Sequence, residues 1–167
     1  MWAAETVLLC ALTLLHRSVH SFPPIEFVNL RPAYVSDNAE AYVLTGDTRI
    51  FLVTASPAFV RARRALYKCG DLQALRKIAS VLVHEEWHVR HGSDEAGAYA
   101  AQLGILVYLD AGPGNPLYDE VTRSLRFATR GRRWPRRRFS GWSRATRARS
   151  RLWGRAEATF AVECWRC

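Results

Sequence analysis

One stretch in the middle of the chain has the periodicity and the boundaries of a long helix. Asp71 is suited to the N-cap position, and Gly92 stands where a glycine commonly ends a helix. Between them, apolar residues recur at spacings of three and four: Leu72, Leu75, Ile78, Val81 and Leu82. The pattern predicts a helix over 72–91 with one buried face, so the remaining segments must pack against that face.

The segment before this helix indicates β-structure. Two β-rich runs flank Gly46-Asp47, and we expect a hairpin over 41–54 in which 49–54 is the stronger strand. A short hairpin beside long helices predicts a small α+β domain.

Three further helices are expected around the long one. Ser56-Pro57 is typical of a helix start, and Pro116 follows a loop rich in Gly and Pro. The predicted spans are 57–68, 94–109 and 116–128.

The predicted central helix contains His-Glu-Glu-Trp-His at 84–88. His84 and His88 are four residues apart and therefore lie one turn apart on one face, where both imidazoles can reach a single metal ion. Glu85 can then act as general base toward a water on that metal. The alternative is a surface helix with two incidental histidines.

A catalytic zinc ion usually has three protein ligands and one open position. His91 lies about 10.5 Å further along a straight helix than His84, too far to share an ion with both other histidines. Asp94 and Glu95 follow the turn at Gly92, and an acidic residue there can face back toward the metal. We favour Glu95 as the third ligand, with Asp94 as the alternative ligand or as an N-cap.

The motif at 84–88, followed by Glu-Ala-Gly-Ala-Tyr at 95–99, resembles the zincin metallopeptidases. It is most similar to the gluzincin pattern, in which a glutamate on the next helix follows the histidine motif, and to small bacterial members of that group. The similarity covers about residues 40–110. The resemblance implies a zinc ion with three ligands and a neighbouring general base: His84, His88 and Glu95, with Glu85 as the base.

This resemblance implies a zinc-dependent hydrolase, most simply a peptidase that acts on peptides or proteins. The edge of the hairpin over 41–54 would align an extended substrate beside the motif helix. The alternative is a binding or regulatory protein on a zincin scaffold, with little turnover. Tyr99 is either a donor to the oxyanion or, as its apolar helix favours, a packed aromatic side chain.

The N-terminal segment 1–21 contains an apolar run over 7–15, which is too short to span a bilayer. It fits the apolar region of a secretory signal peptide, which would make the protein exported. The other interpretations are a buried N-terminal helix, in which case we expect a cytoplasmic protein, and an upstream extension that is not native. In each case, the predicted catalytic domain covers 22–129.

Charge is distributed unevenly along the chain. Residues 1–120 contain ten basic and thirteen acidic residues, whereas 121–167 contain fourteen Arg and two Glu. The Arg- and Trp-rich tail over 130–167 has little apolar periodicity and is predicted to be disordered. It either binds nucleic acid or another anionic surface, or is solvated without a partner, or is out-of-frame translation that is not authentic.

The four cysteines give no disulfide framework from sequence. Cys10 and Cys69 stand alone, and Cys164 and Cys167 form a single CxxC pair, which is half of a zinc site.

Overall fold

The computed structural model describes residues 1–33 and 35–131. Within this part of the chain the fold is α+β, as expected, with five helices and a three-stranded sheet. In chain order the elements are α1 (Ala4–Leu14), β1 (Ile25–Val28), β2 (Ala41–Tyr42), β3 (Ile50–Val53), α2 (Pro57–Arg64), α3 (Leu72–His91), α4 (Glu95–Tyr108) and α5 (Pro116–Gly131). Apart from the end of α5, the expectations for the tail over 130–167 concern residues outside the described part.

The sheet contains the expected hairpin and one strand that sequence reasoning missed. β2 and β3 pair antiparallel, with Tyr42 opposite Phe51, and Gly46 adopts a positive φ of 80° in the connecting turn. β1 pairs with β3 in parallel, so the strand order is β1-β3-β2. β3 is therefore the central strand, and all four of its residues are buried.

Helix α3 has the bounds that its sequence pattern predicts. The Asp71 side chain accepts a hydrogen bond of 2.9 Å from the amide of Ala74, which satisfies one of the free donors at the helix start. At the other end, Gly92 has a φ of 70°, so the chain leaves the helix there and reverses into α4.

The other helices differ from expectation mainly at their ends. α2 stops at Arg64, four residues before the expected end, because Ala65 takes an extended conformation and its carbonyl accepts from the indole of Trp2. α5 begins at Pro116 as expected, and the side chain of Asn115 accepts from the amide of Leu117. A contact with a distant residue thus accompanies the early end of α2, whereas a local cap accompanies the start of α5.

The N-terminal apolar run forms a helix that packs in the main core. α1 lies against α2 and α3, and its buried residues are Val7, Leu8, Cys10, Ala11 and Leu12. None of the described helices is long and apolar enough to cross a membrane. A signal function for residues 1–21 stays a prediction.

Two cysteines that the sequence left unpaired form a disulfide. Cys10 of α1 is bonded to Cys69 in the loop before α3, with Cα atoms 5.5 Å apart across a separation of 59 residues. Cys164 and Cys167 lie outside the described residues. The disulfide links the N-terminal helix to the start of the motif helix.

We expect the disulfide to contribute roughly 2–5 kcal/mol to the free energy of unfolding, because it restricts the unfolded chain. Cys10→Ser, Cys69→Ser and the double variant should lose the same amount, measured by urea unfolding. Reductant should lower the stability of the wild type by a similar amount and leave the variants unchanged. A double variant much less stable than either single variant would contradict the pairing.

Candidate metal centre

The two histidines of the motif meet on one face of α3. Their side chains lie one helical turn apart, and the two Nε2 atoms are 3.1 Å from each other. His84 is buried, with 3% of its surface exposed, whereas His88 is only half-buried. The pair thus presents two nitrogen donors at the margin of the core.

Helix α4 adds a carboxylate to this pair. Glu95 is the first residue of α4, and the reversal at Gly92 directs it back toward α3. Its two carboxylate oxygens lie 3.6 Å from Nε2 of His84 and 3.4 Å from Nε2 of His88. Among the described residues, these three form the group of donors close enough to hold one metal ion.

The other two candidate ligands lie elsewhere. Asp94 is at the N-cap position of α4 and is not part of the donor group. His91 is exposed and stacks on Trp87, with ring centroids 4.0 Å apart. The structure therefore brings together the three residues that sequence reasoning favoured.

The donor atoms lie close enough together to share one ion. The two Nε2 atoms are 3.1 Å apart, and a different oxygen of Glu95 lies near each of them. One donor atom from each residue can be chosen so that all three lie within 4.8 Å of one another. Two imidazoles and one carboxylate are also the donor types of catalytic zinc sites.

The main chain orients the half-buried histidine. Nδ1–H of His88 donates to the carbonyl of Gly92 at 2.8 Å, which leaves Nε2 facing the donor group. The residue that reverses the chain therefore also fixes the ring.

The two imidazoles have opposite electrostatic surroundings. Burial, followed by the nearby charge of His88, lowers the pKa of His84 to about 4. Burial also lowers the pKa of His88, but hydrogen bonds to Glu95 and to the Gly92 carbonyl outweigh it and raise that pKa to about 9. Without a metal, His84 is therefore neutral near pH 7, and His88 holds a proton against Glu95.

Glu85 is a buried carboxyl beside the donor group. Burial raises its pKa to about 7, and the negative charge of Glu95 adds to the effect, while His88 and the main chain of Val43 lower the pKa. A pKa close to 7 suits a group that must both accept and return a proton. Val43 directly follows β2, so the hairpin reaches the motif helix as expected.

A salt bridge that the sequence did not predict holds Glu86, the third residue of the motif. The guanidinium of Arg17 contacts both carboxylate oxygens of Glu86 at 2.6 and 2.8 Å, and Arg90 reaches Glu86 at 2.6 Å. The Glu86 side chain is only 9% exposed. Arg17 follows the N-terminal apolar run, and no spacing in the sequence connects it to residue 86.

Close approach of α4 to α3 depends on a glycine. A Cβ atom on Gly97 would lie 2.6 Å from the ring of Trp87 and even closer to the carboxylate of Asp94. Two residues further on, the ring of Tyr99 packs edge-on against His84, with ring centroids 4.6 Å apart, and Tyr99 is only 4% exposed. This position is that of a packed aromatic side chain.

Comparison with protein-family models, with curated proteins and with solved structures gave no match. The resemblance to zincins therefore stays a prediction from the motif.

We expect Gly97→Ala to lower the free energy of unfolding by roughly 1–3 kcal/mol, because the added methyl group forces the two helices apart. Gly104→Ala is the matched control on the same helix, since nothing lies within 4 Å of its Cβ position. That control should be stabilised by about 0.5–1 kcal/mol. Equal stabilisation of both variants in urea unfolding would show that the contact with Trp87 is not tight.

Proposed function

We propose that this protein is a zinc-dependent metallopeptidase whose ligands are His84, His88 and Glu95 and whose general base is Glu85. The observation that supports the proposal is the cluster of two imidazoles and one carboxylate, whose donor atoms all lie within 4.8 Å of one another, beside the buried carboxyl of Glu85.

Zinc is the metal that the donor set favours. Imidazole nitrogens with a single carboxylate suit zinc better than calcium or magnesium, which prefer all-oxygen sites. Held by His84, His88 and Glu95, a zinc ion would lower the pKa of a nearby water toward neutrality and would polarise the substrate carbonyl.

Glu85 moves the proton in the proposed reaction. As a carboxylate it accepts a proton from the water that attacks the amide carbonyl, and it then returns the proton to the departing amine. Burial raises its pKa to about 7, which brings the proton affinity of the base close to that needed for both transfers. Cleavage consumes one water and yields a carboxylic acid and an amine.

The hairpin offers a place for the substrate backbone. Among the described strands, β2 has β3 on one side only and is an edge strand of the sheet. An extended peptide that lies along this edge would run beside Glu85, because the main chain at Val43 forms a hydrogen bond with Glu85.

The ligand set is tested by metal analysis of the full chain. We expect about one zinc ion per chain in the wild type and none in His84→Ala or Glu95→Ala, because two remaining ligands hold zinc weakly. The matched controls are His91→Ala and Asp94→Ala, which lie outside the donor group and should retain zinc. Loss of zinc in Asp94→Ala but not in Glu95→Ala would give the third position to Asp94.

The catalytic role of Glu85 is tested by Glu85→Gln, which keeps the size of the side chain but removes the base. We expect zinc to be retained and hydrolysis of a peptide library to fall by about 10²–10⁴-fold. Zinc binding without hydrolysis by the wild type would instead favour a binding or regulatory protein on this scaffold.

Metal binding should be coupled to proton release. His88 has a pKa of about 9 without metal and must lose its proton to become a ligand, so we expect zinc to release about one proton from it near pH 7. The apparent affinity for zinc should therefore increase as the pH is raised toward about 9. Calorimetry in buffers of different ionisation enthalpy measures the protons released, and an affinity that does not change with pH would contradict this charge assignment.

A further inference from the structure

A second layer of polar side chains lies behind the donor group. Ser80 precedes His84 by one turn of α3, and Gln102 lies two turns after Glu95 on α4. All three of Ser80, His84 and Gln102 are buried, with 1%, 3% and 5% of their surfaces exposed. Polar groups at this depth need hydrogen-bond partners, because an unpaired polar atom is costly to bury.

The hydroxyl of Ser80 determines how the Gln102 amide is oriented. Ser80 donates its single hydrogen to the carbonyl of Lys77 at 2.9 Å. Toward Gln102, which lies 3.3 Å away, it can therefore only accept, and the group facing it must be the NH₂ of the amide. The carbonyl oxygen of Gln102 then points away from Ser80.

Two buried atoms are left without a hydrogen bond, and they are complementary. Among the described residues, neither Nδ1 of His84 nor Oε1 of Gln102 has a hydrogen-bond partner. Ser80, which holds the Gln102 amide, precedes His84 by one turn on α3, and Tyr99, one turn before Gln102 on α4, packs against the His84 ring. The two unpaired atoms therefore belong to the same helix interface, where a side-chain rotation can satisfy both at once.

The tautomer of His84 supports the same pairing. Nε2 of His84 lies 3.1 Å from Nε2 of His88, whose Nδ1–H is already donated to Gly92. A histidine that binds a metal ion through Nε2 carries its remaining hydrogen on Nδ1, and that hydrogen needs an acceptor.

We propose that Gln102, held by Ser80, is a positioning residue that accepts a hydrogen bond from Nδ1–H of His84 and so fixes the ring and the tautomer for metal binding. This inference rests on the proposed zinc site. A ligand histidine commonly donates its second N–H to an acceptor of this kind, and such acceptors contribute to metal affinity without touching the ion.

The test compares zinc affinities of full-chain variants by competition with a chromophoric chelator. Gln102→Leu removes the acceptor and should weaken zinc binding by about 10–100-fold. Gln102→Glu restores an acceptor and should bind within a few-fold of the wild type. Gln73→Leu is the matched control, because Gln73 also has a buried unpaired Oε1 but its amide contacts Asn115 instead.

Two further measurements separate a positioning role from a packing role. Ser80→Ala keeps Gln102 but removes the hydroxyl that holds the NH₂ group of its amide. The zinc affinity should therefore fall, but by less than in Gln102→Leu. Nitrogen-15 NMR of the metal-free protein should show His84 as the Nδ1–H tautomer in the wild type, with that preference lost in Gln102→Leu. This second measurement does not depend on metal or on activity.

The outcomes distinguish the two proposals. If the wild type binds no zinc, the proposed function fails, and the NMR tautomer alone decides whether the hydrogen bond exists. If the wild type binds zinc and Gln102→Leu binds it equally well, the zinc site stands and the role of Gln102 is overturned. An Nε2–H tautomer of His84 in the wild type overturns that role in either case.

Discussion

The antiparallel packing of α3 against α4 is the interaction on which the site depends. Along the shared face, three residues of α3 are matched in reverse order by three residues of α4. His88 meets Glu95, His84 meets Tyr99, and Ser80 meets Gln102. A shift of one turn, about 5.4 Å, would separate every one of these pairs.

The register of the two helices is set by glycines rather than by the polar residues that use it. Gly92 reverses the chain with a positive φ of 70°, and Gly97 allows α4 to approach Trp87 closely. From the opposite side, α1 is joined to the loop before α3 by the disulfide, and Arg17 pairs with the buried Glu86. The motif helix is thus held on both faces, which limits the freedom of the histidines before any ion binds.

Local sequence patterns predicted those features of the structure that are determined by residues close together in the chain. The N-cap at Asp71, the break at Gly92 and the histidine pair fix α3 and two of the proposed ligands, and the short turn places Glu95 near them. The same reasoning could not locate β1, because its parallel partner β3 is reached only after the chain has passed through β2.

Contacts between segments that are far apart in sequence could not be predicted from any local pattern. The pairing of Cys10 with Cys69 and of Arg17 with Glu86 joins residues about sixty to seventy positions apart, and neither has a characteristic spacing. Gln102 was missed for a related reason. It is one polar residue on an apolar helix. Its proposed role becomes visible only when the unpaired Nδ1 of His84 is located near it in the structure.

All three donor atoms come from residues 84–95, within one helical hairpin. Such a hairpin closes a short loop and loses little chain entropy, so it can form before the long-range pairing of β1 with β3. An ion that binds there adds its binding free energy to the hairpin at that early stage. The supply of metal would then influence the rate at which the chain folds, and not only the chemistry of the finished site.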